Sequence, residues 1–91
     1  MRIKVSGRVQ GVFFRQNMKG RAKKLGLVGW VRNEDDGTVL ILAEGPQGKL
    51  EELYTWLKVN GPPFAKIDAI EVQWGEGTGD FKDFAIRQHI I

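Results

Sequence analysis

The apolar residues of this chain change their spacing four times in 91 positions, and that alternation limits the possible folds more than any other feature. Ile3, Val5 and Val9 alternate with Arg2, Lys4, Ser6 and Arg8, which predicts a strand over about 2–9. Phe14, Met18, Ala22 and Leu25 then fall at helical spacing, predicting a helix over about 14–25 that ends at Gly26, a residue suited to a left-handed cap. LVGWVR (27–32) and TVLILAE (38–44) read as strands joined by the hairpin connection NEDDG (33–37). Pro46 suits the first turn of a second helix, whose apolar stripe is Leu50, Leu53, Tyr54 and Leu57 and which NGPP (60–63) stops. AKIDAIEVQW (65–74) supplies a fourth strand and FAIR (84–87) a short fifth, with GEGTGD (75–80) expected as a flexible hairpin between them.

The order β-α-β-β-α-β has an economical solution: one α+β domain over 1–91, an antiparallel sheet with both helices on one face. It also places the first strand inside the sheet, so the loop after it opens at a sheet end. Gly7 falls on the apolar side of that strand, where a glycine marks a bend or a close backbone approach. Leu40 and Leu42 make the third strand apolar on both faces, so its second face must be covered or must serve self-association.

Charge divides the chain sharply. Residues 1–32 carry Arg2, Lys4, Arg8, Arg15, Lys19, Arg21, Lys23, Lys24 and Arg32 and no acid, while the remainder holds all 11 acidic residues. An anionic ligand near the N-terminal third is the expected partner. Lys23 and Lys24 suit the helix C-terminus, and Arg8 and Arg32 are expected to be rim charges that raise the local anion concentration.

Several chemistries fall away. Without cysteine there is no disulfide, thiolate zinc site or cysteine nucleophile. The one histidine, His89, stands apart from any metal-ligand cluster, and no metal or cofactor is expected. Glu34, Asp35 and Asp36 read as turn chemistry. The start of the chain lacks the apolar stretch of a signal peptide, and no segment is long enough to span a membrane, so a cytoplasmic location is expected.

The stretch GRVQGVFFR (7–15) remains. It joins a strand to a helix N-terminus, where unpaired N–H groups and the helix dipole favour an anion. Gly11 allows those N–H groups to turn inward, and Arg15 can place a planar fork on phosphate oxygens. Local physics leaves a phosphate site and a plain structural turn both open.

GRVQGVFFR closely resembles the signature of the acylphosphatase family, and GWVRNEDDGTV (29–39) resembles its second signature. AKKLG (22–26), the Gly61–Pro63 segment and FAIR match further family text in order, so the resemblance spans nearly the whole chain. It implies a ferredoxin-like fold and the hydrolysis of acyl phosphates to carboxylate and inorganic phosphate. It also implies that Val9, Gln10, Gly11, Val12, Phe13, Phe14 and Arg15 form the phosphate-binding loop, with Arg15 on the phosphoryl group and Asn33 orienting the attacking water. Read locally, Asn33 is a hairpin starter first, and only its pairing with the first signature reverses that reading. A carboxylate leaves without a general acid, so the lack of a catalytic histidine agrees with this chemistry.

Two positions depart from the family pattern. Phe13 stands where a small residue is frequent, either lining the acyl side of a pocket or packing, and Gln88 replaces a frequent tyrosine ahead of the ending HII. The implied partners are an acyl phosphate and orthophosphate, with no nucleic acid and no membrane; a monomer is expected and a dimer left open. Two alternatives stay on the table: an anion-binding module without turnover, and an RNA-binding ferredoxin-like domain. The latter would need aromatic residues on central strands, and IKVSGRV and VLILAE have none.

Overall fold

The computed structural model describes residues 1–11 and 13–88; Val12 and the HII ending, with His89, lie outside the described residues. The elements are β1 (Arg2–Arg8), α1 (Phe14–Lys24), β2 (Val28–Asn33), β3 (Val39–Glu44), α2 (Gln47–Val59), β4 (Lys66–Gln73) and β5 (Phe84–Arg87). All seven expected elements form, with ends moved by one or two residues, and one of those shifts has consequences. Asn33 is the last residue of β2 and pairs with Val39 rather than opening the connection.

The sheet order is β4-β1-β3-β2-β5. β1 lies between β4 and β3 and is antiparallel to both. β5 pairs in parallel with β2, so the sheet is mixed rather than antiparallel throughout. Chain direction explains this, because β5 lies beyond β2 at the edge opposite β4 and must run back along the sheet. GEGTGD is therefore no hairpin but a crossing past one end of the sheet. Glu44 ties the crossing down: its carboxylate accepts the Thr78 N–H at 3.1 Å, the Gly79 N–H at 3.2 Å and the Thr78 hydroxyl at 3.2 Å. Those bonds, with the N–H of Thr78 first, hold the Glu44 carboxyl below the usual carboxylate range.

One core sits between the helices and the sheet. Ile3 and Val5 from β1, Val31 from β2, and Val39, Ile41 and Ala43 from β3 meet Phe14, Met18 and Ala22 of α1 and Leu50, Leu53 and Leu57 of α2. The side chains at i, i+4 and i+8 of α1 are buried as their spacing requires. Its C-terminus closes as anticipated: the N–H of Leu27 reaches Ala22 O at 2.9 Å and that of Gly26 reaches Lys23 O at 3.0 Å, the paired bonds of a Schellman motif.

The second face of β3 is covered at Leu40 and half-buried at Leu42. Leu40 and Trp30 are buried on the helix-free side, and the guanidinium groups of Arg32 and Arg87 lie 4.6 and 5.3 Å from the Trp30 ring centre. Gly7 marks a bulge in the β1–β4 ladder. Its φ of 122° is one that side chains avoid, and a Cβ there would collide with the carbonyl oxygen of Lys66.

Candidate active site

The 9–15 loop leaves the C-terminal end of β1, a central strand, and is held at both ends by the core, since Val9 and Phe14 are buried. Between these anchors Gly11 has φ 73° and Phe13 φ 58°, both left-handed. The N-cap of α1 is Phe13, with no side-chain cap and no acid in the first turn. The amide of Asn17 is bonded to Phe13 O at 3.1 Å, whereas the amides ahead of it have no helical carbonyl to receive them. An uncapped, acid-free helix start keeps its donors and its partial positive charge for an anion.

Arg15 stands half-buried in that first turn and lines a cavity of about 320 Å³. Gly11, Gln16 and Asn33 supply the rest of its polar wall; Val9, Phe13, Phe14 and Ile86 supply the apolar wall. Among the described residues Arg15 enters no salt bridge. Its charge is thus uncompensated by a neighbouring carboxylate. Asn33 reaches the same cavity from the end of β2, and its Oδ1 is a buried acceptor without a hydrogen-bond partner among the described residues. Buried polar atoms are seldom left so in folded proteins.

Gln10 joins the two halves of the site. Its Nε2 donates to Glu34 O at 2.9 Å and to Thr38 O at 2.8 Å, across the base of the turn that follows Asn33. The turn itself is set by Asp36, whose Oδ1 accepts the Thr38 hydroxyl at 2.6 Å and the Thr38 N–H at 3.0 Å, holding its carboxyl below the usual range. The acidic run is turn chemistry, as its sequence suggested, and among the described residues no group of three acids or histidines could hold a metal.

The structure thus gathers Val9, Gln10, Gly11, Phe13, Phe14, Arg15 and Asn33 at one end of the sheet, while Val12 lies outside the described residues. Arg8 is exposed at the end of β1. Arg32 does not join the rim. Strand alternation sends it to the helix-free face, where it bonds Glu34 at 3.2 and 3.4 Å and stacks on Trp30. Lys23 in the last turn of α1 faces Asp83 at 3.6 Å. The helix-free face holds another concavity, of about 230 Å³, where Arg2 and Lys4 mix with Glu34, Asp36 and Glu71. Its mixed charge gives an anion no clear preference. Trp30, buried between two arginines, is no stacking platform for a base.

Sequence reasoning missed one member of the site and one role within it. Ile86 was legible as a strand residue, but nothing local says which edge β5 joins. Gln10 was legible as a loop residue, but not as a link to the hairpin.

Residues 1–86 match the acylphosphatase family model. An acylphosphatase of Pyrobaculum aerophilum is 51% identical over 83 residues, covering 90% of this chain and 86% of that one. One from Rubrobacter xylanophilus is 45% identical over 87 residues, covering 96% and 78%. Among solved structures, the acylphosphatase of Bacillus subtilis superposes with a TM-score of 0.89 at 45% identity, covering 94% of each chain. Full-length HypF in a phosphate- and nucleotide-bound form matches at 33% identity and a TM-score of 0.82, over 94% of this chain and 11% of that one.

Proposed function

The chain belongs to the acylphosphatase family and is an acyl phosphate hydrolase, and from that premise we propose how its residues divide the work. The phosphoryl group sits against the amides of the 9–15 loop, with the Arg15 guanidinium in a two-point fork on its oxygens. The Asn33 carboxamide oxygen accepts a hydrogen bond from a water and aims that water's lone pair at phosphorus. The P–O bond to the carboxylate breaks as the new P–O bond forms, and the carboxylate departs as a stable anion. The arginine and the helix start stabilise charge that spreads over the equatorial oxygens, and the bound geometry removes the entropic cost of bringing water and phosphorus together.

One observation carries this reading. An uncompensated arginine and an unpartnered buried carboxamide oxygen, 18 positions apart in sequence, line one cavity beside an uncapped helix start. A phosphoryl group and a water need those two functions, a cation for one and an acceptor for the other. The test is release of orthophosphate from benzoyl phosphate by the purified protein in EDTA. No turnover under those conditions would sink the metal-independent scheme.

A monomer acting in the cytoplasm belongs to the same proposal. Among the described residues no helix is long and apolar enough to cross a membrane. Sedimentation and cell fractionation test the two points separately.

A further inference from the structure

The geometry points to Phe13 as the residue that selects the acyl group, favouring acyl phosphates whose acyl part is aromatic or bulky and apolar. This rests on the phosphate-site reading above. An acyl group is joined to phosphorus through a single oxygen, so a phosphoryl group held by Arg15 leaves the acyl carbon within the same cavity. The apolar wall there is Val9, Phe13, Phe14 and Ile86. Val9 and Phe14 are 0% and 2% exposed and serve as floor. Phe13 is 70% exposed and Ile86 half-buried, so these two offer the accessible apolar surface.

Phe13 does not pack into the fold, which removes one of the two readings its sequence left open. Its backbone is left-handed at φ 58°, a conformation costly for a side chain of this size. Its carbonyl is nevertheless held twice by Asn17, from the amide at 3.1 Å and from Nδ2 at 2.9 Å. The ring is therefore presented at the mouth by a fixed backbone. Ile86 lines the same cavity from β5, the strand added beyond β2, which pairs Ile86 with Val31. A flat apolar acyl group between the two would bury surface that acetyl is too small to cover.

The test is the ratio of kcat/KM for benzoyl phosphate to that for acetyl phosphate. Phe13→Gly removes the ring and suits the positive φ, so its loop is spared strain. It is expected to lower the ratio by roughly tenfold, chiefly through the KM for benzoyl phosphate. Inhibition by orthophosphate should weaken by less than the ratio falls, because the loop amides and Arg15 remain. Phe13→Leu should recover part of the ratio. Phe64→Ala is the control: Phe64 is 84% exposed with φ 68° but does not line the cavity, so the ratio should hold. An unchanged ratio in Phe13→Gly, or a loss shared equally by both substrates, overturns the inference. Failure of the underlying phosphate site shows elsewhere, as normal turnover of both substrates by Arg15→Ala.

Discussion

The Gln10 carboxamide nitrogen lies 2.8 Å from the carbonyl oxygen of Thr38, so a side chain of the 9–15 loop holds the hairpin that follows Asn33. With the second bond to Glu34 O, this ties the loop directly to the turn after Asn33, alongside the β1–β3–β2 pairing that places Asn33 itself. Gln10→Ala should lower kcat by about 10–100-fold, in line with the cost of small misplacements in positioned reactions. Inhibition by orthophosphate should change little, because the loop amides and Arg15 remain. Gln10→Glu should be no better, since a carboxylate cannot donate to two carbonyls. Equal losses of turnover and phosphate affinity would mean that Gln10 shapes the loop rather than the register between loop and hairpin.

Arg15→Ala should reduce kcat/KM by on the order of 10²–10³ or more and weaken competitive inhibition by phosphate. Arg15→Lys should restore charge without the planar fork and recover only part of the rate. Steady-state kinetics with phosphate as inhibitor, on protein shown to be folded by circular dichroism, reads both effects.

Asn33→Ala should separate turnover from binding. The rate should fall by roughly 10²-fold, the scale seen when one positioned donor or acceptor is removed, with the inhibition constant for phosphate largely spared. Loss of both together would assign Asn33 to the hairpin alone.

The Glu44 carboxyl is held below its ordinary value by the amides it binds, so its bonds to the 75–80 crossing are intact above the unfolded carboxylate pKa of about 4.3. They are lost as the pH falls through the lower, folded value. Protection of the Thr78 and Gly79 amides against hydrogen exchange, corrected for the intrinsic rate, should drop by about tenfold in that acid range. Amides of β1 and β3 should stay protected there. Glu44→Gln should remove the acid step and show weaker protection at neutral pH.

Gly7→Ala should destabilise the fold by about 3 kcal/mol, because a Cβ would meet the Lys66 carbonyl and the φ of 122° is strained for alanine. Urea unfolding measures it. A cost under about 0.5 kcal/mol would show that the β1–β4 bulge relaxes freely.

Much of the fold was legible because it is written in local spacing. The buried positions Phe14, Met18 and Ala22 share one helix face by period alone, and Gly26 marks the helix end by its backbone freedom. Asn33 was harder, since Asn before Asp-Asp-Gly is ordinary turn chemistry, and only its pairing with Val39 places it on a strand. Arg32 was expected at the rim, and a shift of one residue along β2 decides which face it takes.

The sequence by itself determined the elements, the helix ends and the placing of Arg15 at a helix start behind a glycine-containing loop, because these depend on neighbours within a turn or a pleat. Only the tertiary structure decided that β5 joins β2 in parallel, that Ile86 and Asn33 reach the same cavity as Arg15, and that Gln10 ties the loop to the turn after Asn33. A period of two says which face a residue takes but not which strand lies beside it. Strand order follows from burying one shared core, and the active site inherits that choice.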